Sequence, residues 1–219
     1  KTAIRDAATI ILMRQSASGP KVLMGQRGAT AAFMPDKFVF PGGAVDAGDV
    51  HIPVTMPEPC RTRLAQGHAQ PDALAAAAIR EMWEETGLKM GLPGDWPGDW
   101  PGVPQGWQGF AACGLHPSAD GLRFIFRAIT PPGRPRRFDA RFFLADAGAI
   151  AGDLDDFSSA CDELSHLHWV PLKDARKLNL PFITGVVLAE VQATALGEDT
   201  LDTVPFFDNS TGVSTFRQI

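Results

Sequence analysis

The sequence predicts an α/β fold in which helices flank a mixed β-sheet as an α/β/α sandwich. Three observations carry that expectation. Short apolar runs bounded by turn residues recur along the chain, residues 72–86 have a helical pattern, and residues 137–144 alternate with period two.

Taken in order, residues 7–13 (Ala-Ala-Thr-Ile-Ile-Leu-Met) read as a buried strand, 16–20 as a turn and 21–27 as a second strand, so the chain opens with a hairpin. Phe38, Val39 and Phe40 make a short third strand that runs into the turn Pro41-Gly42-Gly43. Residues 50–72 hold His51, Pro53, Pro57, Pro59, Gly67 and Pro71, a density that allows only a helical turn or two around 61–66. The helix of 72–86 follows, with Asp72 as N-cap and Gly87 as C-cap. Next, Pro-Gly-Asp-Trp occurs twice in tandem at 93–100, and a turn repeat of this kind makes 91–108 a surface loop. Trp96 and Trp100 there either stack on a base or pack on the domain's own flank. Further strands are expected at 109–115, 122–130, 138–144 and 167–172, a short helix at 174–177 and a longer one at 180–195. Within 137–144, Arg137, Asp139, Arg141 and Phe143 share one face and Phe138, Ala140, Phe142 and Leu144 the other.

Composition bounds the function classes. A chain of 219 residues that is 45% apolar suffices for one core, and one domain spanning 1–219 is expected. A formal charge of −5 is the wrong sign for gripping a phosphate backbone, which excludes polymeric nucleic acid as a partner. Cys60, Cys113 and Cys161 are odd in number and lack CxxC spacing, so neither a disulfide framework nor a zinc knuckle is indicated and a reducing, cytoplasmic compartment is expected. No stretch has the length of a membrane span, and no secretory leader is recognisable.

The most informative residues are Arg80-Glu81-Met82-Trp83-Glu84-Glu85-Thr86-Gly87-Leu88. At about 100° per residue, Glu85 lies about 40° around the helix from Glu81 and Glu84 about 60° to its other side. The three carboxylates converge, while Ile79, Met82 and Trp83 form an opposite apolar face. Acidic runs on helices are usually solvated surface. Packed carboxylates, however, hold protons unless a cation compensates them, and a hard divalent ion with oxygen ligands suits this set.

Together, Phe38 to Gly43, Asp49 and the 80–88 run resemble the Nudix box, whose pattern is Gly, five residues, Glu, seven residues, then Arg-Glu-aliphatic-x-Glu-Glu-x-Gly-aliphatic. Residues 80–88 fill the second half without a miss. Asp49 stands where the family has Glu, and the thirty residues of 50–79 replace the family's seven, which marks 50–72 as an insertion inside the box. Asp49 can cap or brace the loop without binding metal. The resemblance implies the Nudix fold and a metal-dependent hydrolase that cleaves the diphosphate linkage of a nucleoside diphosphate derivative by attack of water on phosphorus. It also implies Mg²⁺ or Mn²⁺ held by Glu81, Glu84, Glu85 and the Gly43 carbonyl, with Arg80 tying a carboxylate in place and Glu85 and Glu81 taking part in catalysis. Glu163, in the loop before the 167–172 strand, is the loop candidate for general base. Family members are often dimers, which keeps a homodimer open.

Beyond the box, the chain resembles the branch that includes a peroxisomal coenzyme A diphosphatase. Arg27 stands where the coenzyme A motif begins, although the rest of that motif is degenerate. The absence of tyrosine from the chain argues against dinucleoside polyphosphates. Coenzyme A or acyl-coenzyme A, nucleotide sugars and ADP-ribose stay open. Arg134, Arg136, Arg137 and Arg141 form the one dense basic cluster, and Arg137 and Arg141 on one strand face could bind a further phosphate. The plain alternative is an edge strand kept soluble by its charges. A non-catalytic nucleotide-binding or regulatory module of the same fold is the competing class, and Asp49 with the interrupted box speaks for it.

Overall fold

Residues 2–29, 31, 34–96, 102–197 and 203–219 are described by the computed structural model. Among these residues twelve strands and five α-helices follow one another: β1 (Ile4–Arg14), β2 (Lys21–Arg27), β3 (Phe38–Val39), β4 (Gly42–Ala44), α1 (Cys60–Leu64), α2 (Pro71–Thr86), β5 (Lys89–Pro93), α3 (Gln108–Ala111), β6 (Leu115–Pro117), β7 (Arg123–Ile129), β8 (Arg137–Asp146), β9 (Ile150–Ala151), β10 (Leu164–Pro171), α4 (Leu172–Ala175), α5 (Phe182–Ala195), β11 (Pro205–Asp208) and β12 (Thr215–Gln218).

The main sheet runs β10-β2-β1-β8-β7-β11-β12, with β3 added to β2 and β4 to β1, and β5, β6 and β9 form a small second sheet. β1 pairs in parallel with β8 and β7 in parallel with β11, while the other pairings are antiparallel, so the sheet is mixed. One face carries Ala8, Ile10, Leu12 and Phe143 into a core shared with α2, and the other carries Ile11, Phe142 and Leu144 against α5. Both faces are therefore covered, as the sandwich expectation requires.

Local departures have physical reasons. The expected strand at 109–115 is α3 followed by β6, because Trp107 and Phe110, three residues apart, are both buried at helical spacing and Gly114 then turns at φ +70°. Asp72 does not cap α2. Gln70 occupies the cap position with Pro71 in the first turn, and the Asp72 carboxylate accepts bonds from Met56 N and from Arg61 instead. β8 is central, between β1 and β7, so the edge-strand alternative fails. The short helix expected at 174–177 begins earlier, at Leu172. Trp96 packs on Trp107 and donates to the Leu115 carbonyl, whereas Trp100 lies outside the described residues.

Candidate active site

The sheet splits where the site lies. β2 pairs with β1 only through Met13–Val22 and Arg14–Lys21, after which β4 takes the edge of β1 at residues 7–9 and β3 takes the edge of β2. Gly42 and Gly43 thus stand on one lip and Arg27, at the end of β2, on the other. Glycine is required by close approach: a Cβ on Gly42 would sit 2.6 Å from the Ala8 carbonyl oxygen, and one on Gly43 would run into the Glu81 carboxyl group.

α2 supplies the carboxylates. It ends at Gly87, which adopts φ +76° and donates its N–H to the Trp83 carbonyl, so the acidic turn stops at the glycine that the sequence marks as C-cap. Glu85, 2% exposed, accepts from the Gly42 N–H at 2.8 Å. Arg80 gathers most of the rest: Nε and Nη2 fork onto Asp49 at 3.0 Å each, Nη2 also donates to the Ala44 carbonyl, and Nη1 donates to Glu81 at 2.8 Å and Glu84 at 3.3 Å. The Asp46 N–H in turn donates to Asp49 at 2.8 Å. The shortened Asp49 therefore braces the glycine loop against α2, the role left to it by its length.

Electrostatics agree with a cation-seeking set. Burial pushes Glu81 up to about 7, although the Arg80 charge and hydrogen bond oppose the rise. Burial also raises Glu85 well above the usual carboxylate range, against the pull of the Gly42 N–H. For Arg80, burial alone would lower the pKa, and the bonds to Asp49 and the charges of Glu81 and Asp49 outweigh it and raise it. Oxygen donors, buried and short of positive charge, fit Mg²⁺ or Mn²⁺. Among the described residues, however, no three His, Cys, Asp or Glu side chains already stand as a metal-holding group. Arg80 engages one oxygen each of Glu81 and Glu84, and the Gly42 N–H one oxygen of Glu85.

Glu163 immediately precedes β10 and accepts from Arg27 Nη2 at 3.1 Å, and its charge is felt by both Glu81 and Glu85. The Cys161 N–H donates to the Glu84 carbonyl and holds this loop against α2. Arg27, Glu163, Gly43, Arg80, Glu81, Glu84 and Glu85 are thus brought together. Arg141 and Arg137 are not. Arg141 is in register with Ala8, itself opposite Gly43, which sets its backbone two strands, about 10 Å, from the glycine turn. Its side chain bonds Asp6 and Asp139, and Asp139 also receives two bonds from Arg127. Arg137 lies four residues further along β8, two repeats of the pleat, and donates to the carbonyls of Thr130, Asn209 and Ser210. The Gly42 N–H and the Arg127–Asp139 pair were not legible in the sequence. Only the glycine pair hinted at the first, and nothing local marks the second.

A split mixed sheet, with a glycine turn facing a helix that carries three glutamates, defines the class of α/β protein. The NUDIX domain family matches residues 3–191, and the chain belongs to the Nudix family. A Caenorhabditis elegans protein named as nudix hydrolase 7 is 29% identical over 178 residues, covering 78% of this chain and 52% of that protein, so the chain spans about half the length of this curated relative. A NUDIX hydrolase from Alicyclobacillus acidocaldarius superposes with a TM-score of 0.66 at 28% identity over 93% of this chain and 97% of that one. The NUDIX domain of Shewanella oneidensis NrtR, solved with ADP ribose, shares the fold at 13% identity and a TM-score of 0.52, with 89% and 90% of the two chains covered. No helix among the described residues is long and apolar enough to cross a membrane.

Proposed function

We propose that the chain is a divalent-cation-dependent hydrolase that cleaves the diphosphate linkage of a nucleoside diphosphate derivative by attack of water on phosphorus. The observation that carries this reading is the placement of Glu81 against Gly43 and of Glu85 against Gly42, with Arg80 forked onto Asp49 and bonded to both Glu81 and Glu84. Glu81, Glu84, Glu85 and the Gly43 carbonyl would hold Mg²⁺ or Mn²⁺. When bound, the ion would neutralise the diphosphate and acidify a coordinated water. Arg80 orients the carboxylates as an outer-layer partner. Glu163, across the split and held by Arg27, would accept the water proton at a carboxylate oxygen.

Coenzyme A or acyl-coenzyme A and the nucleotide-sugar or ADP-ribose class are the substrate candidates, and a homodimer is the candidate assembly. All three cysteines are free, which suits a cytoplasmic setting. One observation favours a binding module without turnover: Glu81, Glu84 and Glu85 are already engaged by Arg80 and Gly42. Screening nucleotide sugars, dinucleotides and acyl-coenzyme A with Mg²⁺ or Mn²⁺, beside Glu85→Gln, separates the two readings. Turnover that survives in the variant removes the assigned chemistry, and no turnover on any compound leaves the binding module.

A further inference from the structure

α5 is apolar both on the side that faces the sheet and on the side that faces away from it. Over Phe182–Ala195 it carries one charged residue, Glu190. At about 100° per residue, Thr184, Val187, Leu188 and Val191 cluster on one side, and all four are buried. The opposite side is made by Phe182, Gly185, Ala189, Ala193 and Leu196, with Gln192 as its one polar member. A surface helix ordinarily puts charged residues there. Instead Phe182 is 76% exposed and Leu196 66% exposed, and Ala189 between them is exposed as well. The ring centroids of Phe182 and Phe207 are 6.2 Å apart and those of Phe207 and the exposed Phe216 6.3 Å, so the apolar surface continues from the helix onto β11 and β12.

What fits this side of the helix is a second copy of it. Phe182 and Leu196 lie seven residues to either side of Ala189, and Gly185 and Ala193 four to either side. Another α5 laid antiparallel about a two-fold axis through Ala189 therefore sets Phe182 against the partner's Leu196, Gly185 against the partner's Ala193, and Ala189 against its own copy. Large side chains meet at the two ends, and small ones meet in the middle, where they let the helix axes approach to about 8 Å. The antiparallel direction also brings each helix N-terminus beside the other's C-terminus, which suits both dipoles. Charge favours this occupant. A chain of formal charge −5 repels its own copy except across a surface that sets no charge against charge, and the outward side of α5 is such a surface. A lipid surface would call for Lys or Arg along the polar flank, and α5 has neither. Phe182 and Phe216 each expose on the order of 100 Å², and with Leu196 and Ala189 two copies would bury about 1,000 Å² together, the lower end for a specific interface. We propose that the outward side of α5, with the Phe207 and Phe216 flank, is the self-association surface of this chain, two copies pairing antiparallel about Ala189. It rests on the homodimer reading above and not on the hydrolase reading.

Sedimentation velocity on the full chain, from about 1 to 200 µM, tests this. The wild type should dimerise in the micromolar range, as a small interface does. Ala189→Glu and Ala189→Lys each set like charges face to face at the axis and should raise Kd by about 100-fold or more. An equimolar mixture of those two variants sets opposite charges there and should re-form a dimer at least about tenfold tighter than either variant alone. Phe182→Ala should weaken the dimer by about tenfold. Both positions are exposed, so each variant should melt close to the wild type, and thermal melting identifies any that does not fold. The position-189 and position-182 variants bear on the surface separately, so one misfolded variant leaves the test standing. A wild type that stays monomeric throughout overturns the homodimer reading and this surface with it. A dimer indifferent to all three variants overturns the surface alone, and dimer lost in both position-189 variants without recovery in their mixture overturns the pairing about Ala189.

Discussion

Two regions of this protein bury charge within about 10 Å of each other and resolve it in opposite ways. Across β1, β8 and β7, Arg127 and Arg141 divide Asp139 and Asp6 between them, cation matched to anion. At the glycine turn, Asp49, Glu81 and Glu84 all lean on one guanidinium, and among the described residues Glu85 has a backbone N–H and no cation bonded to it. The matched cluster is a closed structural unit. The unmatched one carries negative charge in excess, and its buried members Glu81 and Glu85 hold protons more readily than ordinary carboxylates. Arginines grouped in a sequence therefore suggest a ligand less reliably than acids left without enough arginine.

Substitutions can break that contrast. Glu85→Gln should lower turnover by on the order of 10³-fold while leaving the metal-free protein as stable or more so, because Gln keeps an acceptor for Gly42 and removes a buried charge. Steady-state kinetics and a urea melt of the same preparation check both halves, and a destabilised variant would mean that burying the Glu85 carboxyl group carries no cost for Gln to relieve. Asp139→Ala should do the reverse. It leaves two buried guanidinium groups without their shared carboxylate and should cost about 3–5 kcal/mol of stability, with turnover per folded molecule little changed. A loss under 1 kcal/mol in denaturant unfolding would show that the β8 cluster is not the closed unit described. Added Mg²⁺ at about 100 times its Kd should stabilise the native chain by about 2.7 kcal/mol, and Glu85→Gln should respond far less, as read by thermal melting. Asp49→Asn, which keeps the size but weakens the fork to Arg80, should weaken Mg²⁺ binding by roughly 10- to 100-fold, measured by calorimetry.

Much of this was legible in the sequence where signals were local. The β1–β2 hairpin, the periodicity of α2 and its arrest at Gly87, and the spacing of Glu81, Glu84 and Glu85 all depend on neighbours within a turn or two. α3 was not legible, because its two anchors Trp107 and Phe110 sit among glycines that mask a helical turn. β11 and β12 are four residues each, and β11 owes its place to parallel pairing with a distant β7. Asp49 was legible as a brace, but its partner was hidden for a different reason. Its side chain is one methylene shorter than glutamate, and only a 3₁₀ turn at Asp49–His51 together with a partner thirty-one residues away shows how it still reaches Arg80. Arg137 and Arg141 were correctly placed on one strand face, but which side of the sheet is open depends on the whole fold.

The bond from the Cys161 N–H to the Glu84 carbonyl has a practical consequence. It joins main chain to main chain, so the offset between Glu163 and the acidic turn of α2 is set by no side chain of the intervening 153–160 stretch. Within it Asp153, Asp156 and Ser158 satisfy their own turns, whereas Asp155 accepts from Arg14 and Leu154 and Phe157 pack on the core. Asp153, Asp156 and Ser158 are consequently natural positions for a randomised library: they can drift while Leu154, Asp155 and Phe157 anchor the stretch and the Cys161 bond keeps the two acidic partners in registration.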